Sequence, residues 1–279
     1  MSSEVREFKF TTGDFQRLAR IVRETSGIAL TPAKRDLVYS RLAKRVRAFG
    51  FKSFSQYADL LDSGDQAELV ELTNAMTTNV TSFLRESYHF DHLCDEILPG
   101  LIAGRSSGQR IRIWSAACST GEEPYSIALS ALARVPNVAQ HDFRILATDL
   151  DSQVVERGRN GVYEASSVEA LPKEWQRRYF QRGRGASSGR FRVKPEVRDL
   201  IAFKTLNLMQ PWPVKGPFDA IFCRNVMIYF DDETRARLVE RFRQLLKIGG
   251  FLFIGHSESL PAQVQGFDFM KRTTYRRAV

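Results

Sequence analysis

The chain has 279 residues, 43% hydrophobic and 26% charged, with a formal net charge of +9. That balance suits an ordinary soluble protein able to bury a real core. No apolar run approaches the ~20 residues that span a bilayer. Cys94, Cys118 and Cys223 are scattered without CxxC spacing, so neither a disulfide framework nor a cysteine zinc site is expected.

Met1 to Phe10 is charged and has no apolar h-region, so the chain reads as cytoplasmic. Residues 1–50 carry eleven Lys/Arg against five Asp/Glu, most of the basic excess. Thr12 is placed to cap a helix through Phe15, Leu18, Ile21 and Val22. Thr31-Pro32 reads as an N-cap followed by proline at the first helical position, where its missing N–H costs nothing. The helix that follows puts Val38, Leu42, Val46 and Phe49 on one stripe, and Gly50 stops it. Lys34, Arg41, Lys44 and Arg45 lie along its flank, with Arg47 further round. That basic face is either a solvated flank or a surface for an acidic partner. Shorter helices are predicted over 54–62 and 66–76. His89 and His92 can share a helix face, but no third ligand is near and no metal is expected.

From residue 110 the pattern changes. Ile111–Ala116, Phe143–Thr148, Leu200–Leu206, Phe218–Cys223 and Phe251–Gly255 read as buried strands. Helical runs over Glu123–Arg134, Asp151–Arg159 and Asp232–Leu246 lie between them, which implies a mostly parallel, doubly wound sheet. Phe267–Lys271 and Thr274–Arg277 look like a terminal hairpin. Residues 161–199 are too many for a bare connection. Their two short strand-like runs around Arg182-Gly183-Arg184-Gly185 suggest an inserted antiparallel subdomain.

The first strand ends in Ser115-Ala116-Ala117-Cys118-Ser119-Thr120-Gly121-Glu122-Glu123-Pro124. Small residues there let a ligand approach the backbone, and this is not GxGxxG. Two acids opening the helix would repel a pyrophosphate, so NAD fits poorly. A cationic amino-acid ligand fits better. Asp149 ends the second strand, where a carboxylate accepts ribose hydroxyls. Asn207-Leu208 ends the third, and Arg224-Asn225 through Tyr229 follows the fourth.

Four segments together resemble the chemotaxis receptor methyltransferases, the CheR family: Thr77–Glu86, Trp114–Ser126, Phe218–Phe230 and Gly255-His256-Ser257-Glu258. The resemblance covers essentially the whole chain. It implies a Rossmann-like α/β sheet of the class I S-adenosylmethionine-dependent methyltransferases, with an all-helical domain over residues 1–80. The catalytic domain would span 81–279 and carry an inserted antiparallel β-subdomain over about 161–199. By the same resemblance, Asn79, Thr81, Arg85, Glu123, Asp149, Asn207, Leu208, Arg224 and Asn225 contact S-adenosylmethionine, with Glu123 preferred over Glu122. Arg85 pairs with the methionine carboxylate or positions the incoming glutamate, and Tyr229 sits beside the reacting methyl. The products are a glutamate methyl ester on a chemoreceptor and S-adenosylhomocysteine. No metal is implied. Lys34, Arg41, Lys44, Arg45 and Arg47 are expected to face the receptor's cytoplasmic domain. Gly183, Arg184, Gly185 and Arg192 are expected to dock a receptor C-terminal pentapeptide.

Two rival classes stay open at this level. The net charge favours a nucleic-acid methyltransferase, but Arg224-Asn225-Val226-Met227 lacks the proline pair of amino-group base methylases. Cys223 follows Phe222 rather than proline and reads as a core residue, not a nucleophile. A non-catalytic docking module would not need the intact cofactor set. The enzyme is expected to act as a monomer at receptor arrays, without nucleic acid and without membrane insertion.

Overall fold

The structure is a computed structural model that describes residues 6–103 and 108–279. Of the charged stretch from Met1 to Phe10, residues 1–5 lie outside the described residues.

Four helices open the chain: α1 (Thr12–Ser26), α2 (Arg35–Ala48), α3 (Phe54–Asp62) and α4 (Gln66–Met76). The α1 cap is Thr11, one residue earlier than the sequence reading placed it. Its hydroxyl accepts the Asp14 N–H at 3.1 Å while Asp14 accepts the Thr11 N–H at 2.7 Å. This reciprocal capping box satisfies two otherwise orphaned donors. Thr31 leads into a 3₁₀ turn, Pro32–Lys34, before α2 begins, and its side chain makes no capping bond. The apolar stripe of α2 is real for Val38, Leu42 and Val46, all fully buried. Phe49 departs from it: the helix ends at Ala48, and Phe49 is exposed and stacked on Phe51. With Leu18, Phe54 and Tyr57 the stripe forms a core separate from that of the sheet. Both shorter helices fall on the predicted residues.

Beyond a connecting segment come α5 (Tyr88–His92), a π turn and α6 (Leu98–Ala103). The alternating part then runs β1 (Arg110–Ala116), α7 (Glu122–Arg134), β2 (Asp142–Asp149), α8 (Ser152–Asn160), β3 (Val162–Glu164), α9 (Ala165–Val168), α10 (Lys173–Tyr179), β4 (Phe180–Arg182), β5 (Arg190–Val193), α11 (Pro195–Arg198), β6 (Ile201–Thr205), β7 (Phe218–Cys223), α12 (Asp232–Leu245), β8 (Leu246–Ile254), β9 (Phe267–Lys271) and β10 (Thr274–Arg277). The main sheet has seven strands in the order β6-β2-β1-β7-β8-β10-β9. β6, β2, β1, β7 and β8 pair in parallel, and the terminal hairpin adds two antiparallel strands. The chain moves outward from β1 on both sides, so the strand order reverses between β1 and β7. Open α/β sheets bind ligands at such a switch point, outside the carboxyl ends of the strands.

Several strand and helix ends shift by one residue from the sequence reading, and two departures are larger. β8 begins at Leu246 rather than Phe251, because Leu246 pairs with Phe218; the register then shifts across Gly249, which takes φ +77°, before Phe251 pairs with Ala220. The insertion is a three-stranded sheet, β3-β5-β4, not a two-stranded hairpin. Val162–Glu164 supplies the third strand, too short to show alternation, and pairs antiparallel with Arg190–Arg192. The helical domain meets the sheet domain closely. Gly27 ends α1 at φ +76°, and a Cβ there would approach the Met209 sulfur to 2.6 Å, so only glycine suits the position. No described helix is long and apolar enough to cross a membrane.

Candidate active site

A cleft opens where the carboxyl ends of β1, β2, β6 and β7 meet the helical domain. Its floor is the turn between β1 and α7. Ala117, Ser119 and Gly121 take φ of +65°, +50° and +98°. Left-handed conformations at two residues bearing a Cβ are uncommon, and strain of this kind gathers at ligand sites. Glycine is required at 121, where a Cβ would press on the Gly158 backbone at 2.9 Å. The Tyr163 hydroxyl donates to the Thr120 carbonyl at 2.7 Å and fixes the turn from below.

Asp149, at the end of β2, accepts the Ser119 N–H at 2.8 Å on one carboxylate oxygen and the Asp151 N–H at 3.0 Å on the other. Burial pushes its carboxyl up to about 6, against the downward pull of these amides. Each oxygen keeps acceptor capacity for a further donor. Glu123 accepts the Ser115 hydroxyl at 2.7 Å and the Arg224 guanidinium at 3.2 Å. Burial raises its carboxyl, and the Arg224 charge opposes that. Glu123 lines the cleft. Glu122 is buried beneath the turn and accepts the Thr120 hydroxyl at 2.6 Å.

The wall opposite is the segment after β7. Arg224 is buried, and Asn225 takes φ +59° before a 3₁₀ turn over Met227–Tyr229. One carboxylate holds this segment: Glu258 accepts the N–H groups of Asn225 at 2.9 Å, Ile228 at 3.2 Å and Gly255 at 2.5 Å. Glu258 belongs to the Gly255-His256-Ser257-Glu258 motif, but its role is invisible in the sequence, since three backbone donors converging on a distant side chain leave no local signal. Tyr229 reaches the helical domain, where its carbonyl accepts the Ala29 N–H at 2.9 Å and its ring lies under the Lys34 ammonium.

The connecting segment from the helical domain forms the mouth. Asn79 donates to Asp151 at 2.9 Å, and its carbonyl accepts the Ser119 hydroxyl at 3.0 Å. Thr81 and Arg85 follow it along the cleft, with Arg85 donating to the Val80 carbonyl at 2.9 Å. Leu208 and Asn207 line the far end. The Asn207 side chain is engaged on both atoms, donating to the Thr25 carbonyl and accepting the Met209 N–H. The structure therefore gathers Asn79, Thr81, Arg85, Glu123, Asp149, Asn207, Leu208, Arg224, Asn225 and Tyr229 around one cleft.

The predicted basic face divides. Arg41 donates to the carbonyls of Met76 and Thr77 at 2.8 Å, closing the C-terminus of α4 where a cation is favoured. Arg45 pairs with Glu68 and Glu71, and buried Glu68 also accepts the Tyr57 hydroxyl at 2.6 Å. Arg47 pairs with Glu7. Lys44 is exposed and makes no ion pair among the described residues. In the insertion, Arg182, Arg184 and Arg192 are exposed, whereas Arg190 pairs with Glu164 at 3.2 Å.

The residue chemistry fits S-adenosylmethionine. A buried carboxylate suits ribose hydroxyls, Arg85 suits an amino-acid carboxylate, and Glu123, held by Arg224, suits an ammonium. Apolar Leu208, Ile28 and Phe230 offer a surface for a flat ring. His89 and His92 do not converge on a common ligand. His89 is buried against Phe253 and contacts the Arg272 carbonyl at 2.8 Å. Among the described residues no group of three His, Cys, Asp or Glu is placed to hold a metal. The Cys223 thiol is fully buried and pushed well up by that burial, the opposite of an activated nucleophile.

Comparison with known proteins identifies the family. Residues 79–276 match the family described as CheR methyltransferase, SAM binding domain, and residues 13–77 match the CheR methyltransferase all-alpha domain. A probable chemotaxis protein methyltransferase of Rhizobium etli is 45% identical over 258 residues, covering 92% of this chain and 96% of that protein. The chemotaxis protein methyltransferase of Salmonella typhimurium is 42% identical, covering 94% and 88%. That of Borreliella burgdorferi is 39% identical, covering 96% and 95%.

Proposed function

Since the chain belongs to the CheR methyltransferase family, we propose that its cleft joins S-adenosylmethionine to a glutamate side chain of a chemoreceptor. The chain is an S-adenosylmethionine-dependent methyltransferase of chemoreceptors, and it esterifies glutamate carboxylates, leaving S-adenosylhomocysteine. The observation that carries this reading is the convergence of Asp149, Glu123 and Arg224 on the strained turn after β1.

When bound, S-adenosylmethionine supplies a methyl group made electrophilic by its sulfonium. Asp149 holds the ribose through the oxygen capacity that Ser119 and Asp151 leave free. Glu123 and Arg224 orient the amino-acid end, with Asn79, Thr81 and Asn225 at its margins. Leu208 packs on the adenine. The carboxamide of Asn207 already has partners, so Asn207 shapes this end through the position of its backbone. An incoming glutamate is ionised near neutral pH, so no general base is needed. Arg85 draws that carboxylate into line, and Tyr229 closes the site beside the reacting centre. Alignment of this kind supplies several kcal/mol in a site partly stripped of water.

The enzyme meets the receptor's cytoplasmic helices through the basic face of the helical domain. Lys44 and Lys34 are the steering cations there, while Arg41 and Arg45 chiefly hold the domain in shape and the exposed Arg47 is paired with Glu7. A receptor C-terminal pentapeptide adds as an extra strand to the inserted β3-β5-β4 sheet, with Arg184 and Arg192 available for acidic side chains. Gly183 and Gly185 shape the turn beside them. Such a tether raises local receptor concentration without altering the chemistry. The enzyme acts as a monomer at receptor arrays. Incubation with receptor and nucleic acid in parallel tests the reading: methyl ester should appear on receptor glutamates and on neither RNA nor DNA.

A further inference from the structure

Arg85 lies between two residues in the left-handed region, Leu84 at φ +53° and Glu86 at φ +56°. Neither is glycine, asparagine or aspartate, the residues that take this conformation most readily. Something must hold the backbone on both sides of Arg85. On one side the Leu84 N–H donates to the Ser126 hydroxyl at 2.9 Å. On the other side the Glu86 carboxylate, largely buried, is the centre of a polar cluster. It meets Arg224 Nη2 at 3.1 Å, Asn225 Nδ2 at 3.1 Å, His256 Nδ1 at 2.9 Å and the Tyr88 hydroxyl at 3.4 Å. The same Arg224 Nη2 donates to the Arg85 carbonyl. The second Arg224 terminal nitrogen goes to Glu123.

We propose that Glu86 is a positioning residue for methyl transfer: it locks the strained backbone that presents Arg85 and joins it to the Arg224–Tyr229 segment. Arg224 is shared between two carboxylates, Glu123 on the cofactor side and Glu86 on the Arg85 side. Burial pushes the Glu86 carboxyl up, but the Arg224 charge and the bonds from His256 and Asn225 bring it down to about 2, so it is an anion at every working pH. In Glu86→Gln, Arg224 keeps Glu123 and its bond to the Arg85 carbonyl but loses the charge of its second carboxylate partner. The Asn225 carboxamide then faces a donor instead of an acceptor. The consequence falls on the geometry of Arg85 and Tyr229 more than on the cofactor pocket.

The inference rests on the methyltransferase reading of the cleft, and wild-type enzyme tested alongside separates the two. If wild type esterifies no receptor glutamate, that reading fails. If wild type is active, Glu86→Gln decides the inference. Turnover at saturating receptor should fall on the order of tenfold or more, while calorimetric affinity for S-adenosylhomocysteine stays within about threefold. Glu86→Asp, which keeps the anion and tolerates the left-handed region, should recover part of the lost turnover. Turnover of Glu86→Gln within about twofold of wild type, or a loss of cofactor affinity equal to the loss of turnover, overturns the proposal. Thermal melting checks that each variant folds. Should Glu86→Gln not fold, Glu86→Asp carries the test: reduced turnover with unchanged cofactor affinity supports the role, and wild-type turnover overturns it.

Discussion

The side-chain nitrogen of Asn207 donates to the backbone carbonyl of Thr25 at 2.6 Å, so a residue at the end of a sheet strand holds the last turn of a helix in the other domain. Its oxygen accepts the Met209 N–H at 2.8 Å. With both atoms engaged, Asn207 ties the helical domain over the cleft. Asn207→Ala should remove about 1 kcal/mol of stability and lower Tm by a few degrees. Cofactor affinity should change by less than about threefold. A large loss of affinity with unchanged Tm would instead make the carboxamide a direct ligand.

That tie shows where sequence reasoning stops. Strand ends were legible because Ile111–Ala116, Phe143–Thr148 and Phe218–Cys223 are short, mainly apolar runs between turn signals, each interrupted by a single charge, and strand-helix alternation then fixes a sheet with its site at the carboxyl ends. Asp149 was legible because it directly follows such a run, and Glu123 because it is one of the two acids that open the helix after the first run. The partners of Asn207, Glu86 and Glu258 were not, since each joins segments remote in sequence. The basic flank of α2 was read as one surface, yet Glu68 and Glu7, which occupy Arg45 and Arg47, lie outside that helix.

Asp149 gives the cofactor site a pH dependence. Its native carboxyl keeps the proton up to about pH 6, whereas its ordinary value is 3.8. Between those values the native state binds more protons than the unfolded state, so stability falls as pH rises through the window. The full difference amounts to roughly 3 kcal/mol. Ribose hydroxyls donate to the ionised form, so S-adenosylhomocysteine should bind more tightly as pH rises past 6 and should release a proton below it. Calorimetry in buffers of different ionisation heat measures that proton. Asp149→Ala should lose ~1.5–3 kcal/mol of affinity and the pH dependence together, and unchanged affinity would remove Asp149 from the site.

Arg45 and Lys44, neighbours on α2, should behave differently. Arg45→Ala leaves Glu68 buried without its cation and should cost about 2–3 kcal/mol of stability, reduced from a fully buried pair because Arg45 is partly exposed. Lys44→Ala with Lys34→Ala should leave Tm nearly unchanged, raise KM for receptor and flatten its salt dependence. An unaltered KM and salt response would make this face merely solvated.

The inserted sheet should bind a receptor C-terminal pentapeptide with Kd in the micromolar range or weaker, roughly what a short added strand provides. Gly183 cannot carry a side chain, because a Cβ would lie 2.0 Å from the Ser187 carbonyl oxygen. Replacing Gly183 and Gly185 together by Val should therefore abolish binding while methylation of untethered receptor continues. Binding that survives the replacement would place the peptide elsewhere, and no binding by any receptor peptide would leave the insertion without this role.

The most direct test is transfer itself. Wild-type enzyme, S-adenosylmethionine with a labelled methyl group and the cytoplasmic domain of a receptor from the same organism are incubated together, and the receptor is mapped by peptide mass spectrometry. The account predicts label as base-labile methyl esters on receptor glutamates, strongly reduced with Arg85→Ala although that variant stays folded. Label on nucleic acid, on other side chains, or on receptor at an equal rate with Arg85→Ala would contradict it.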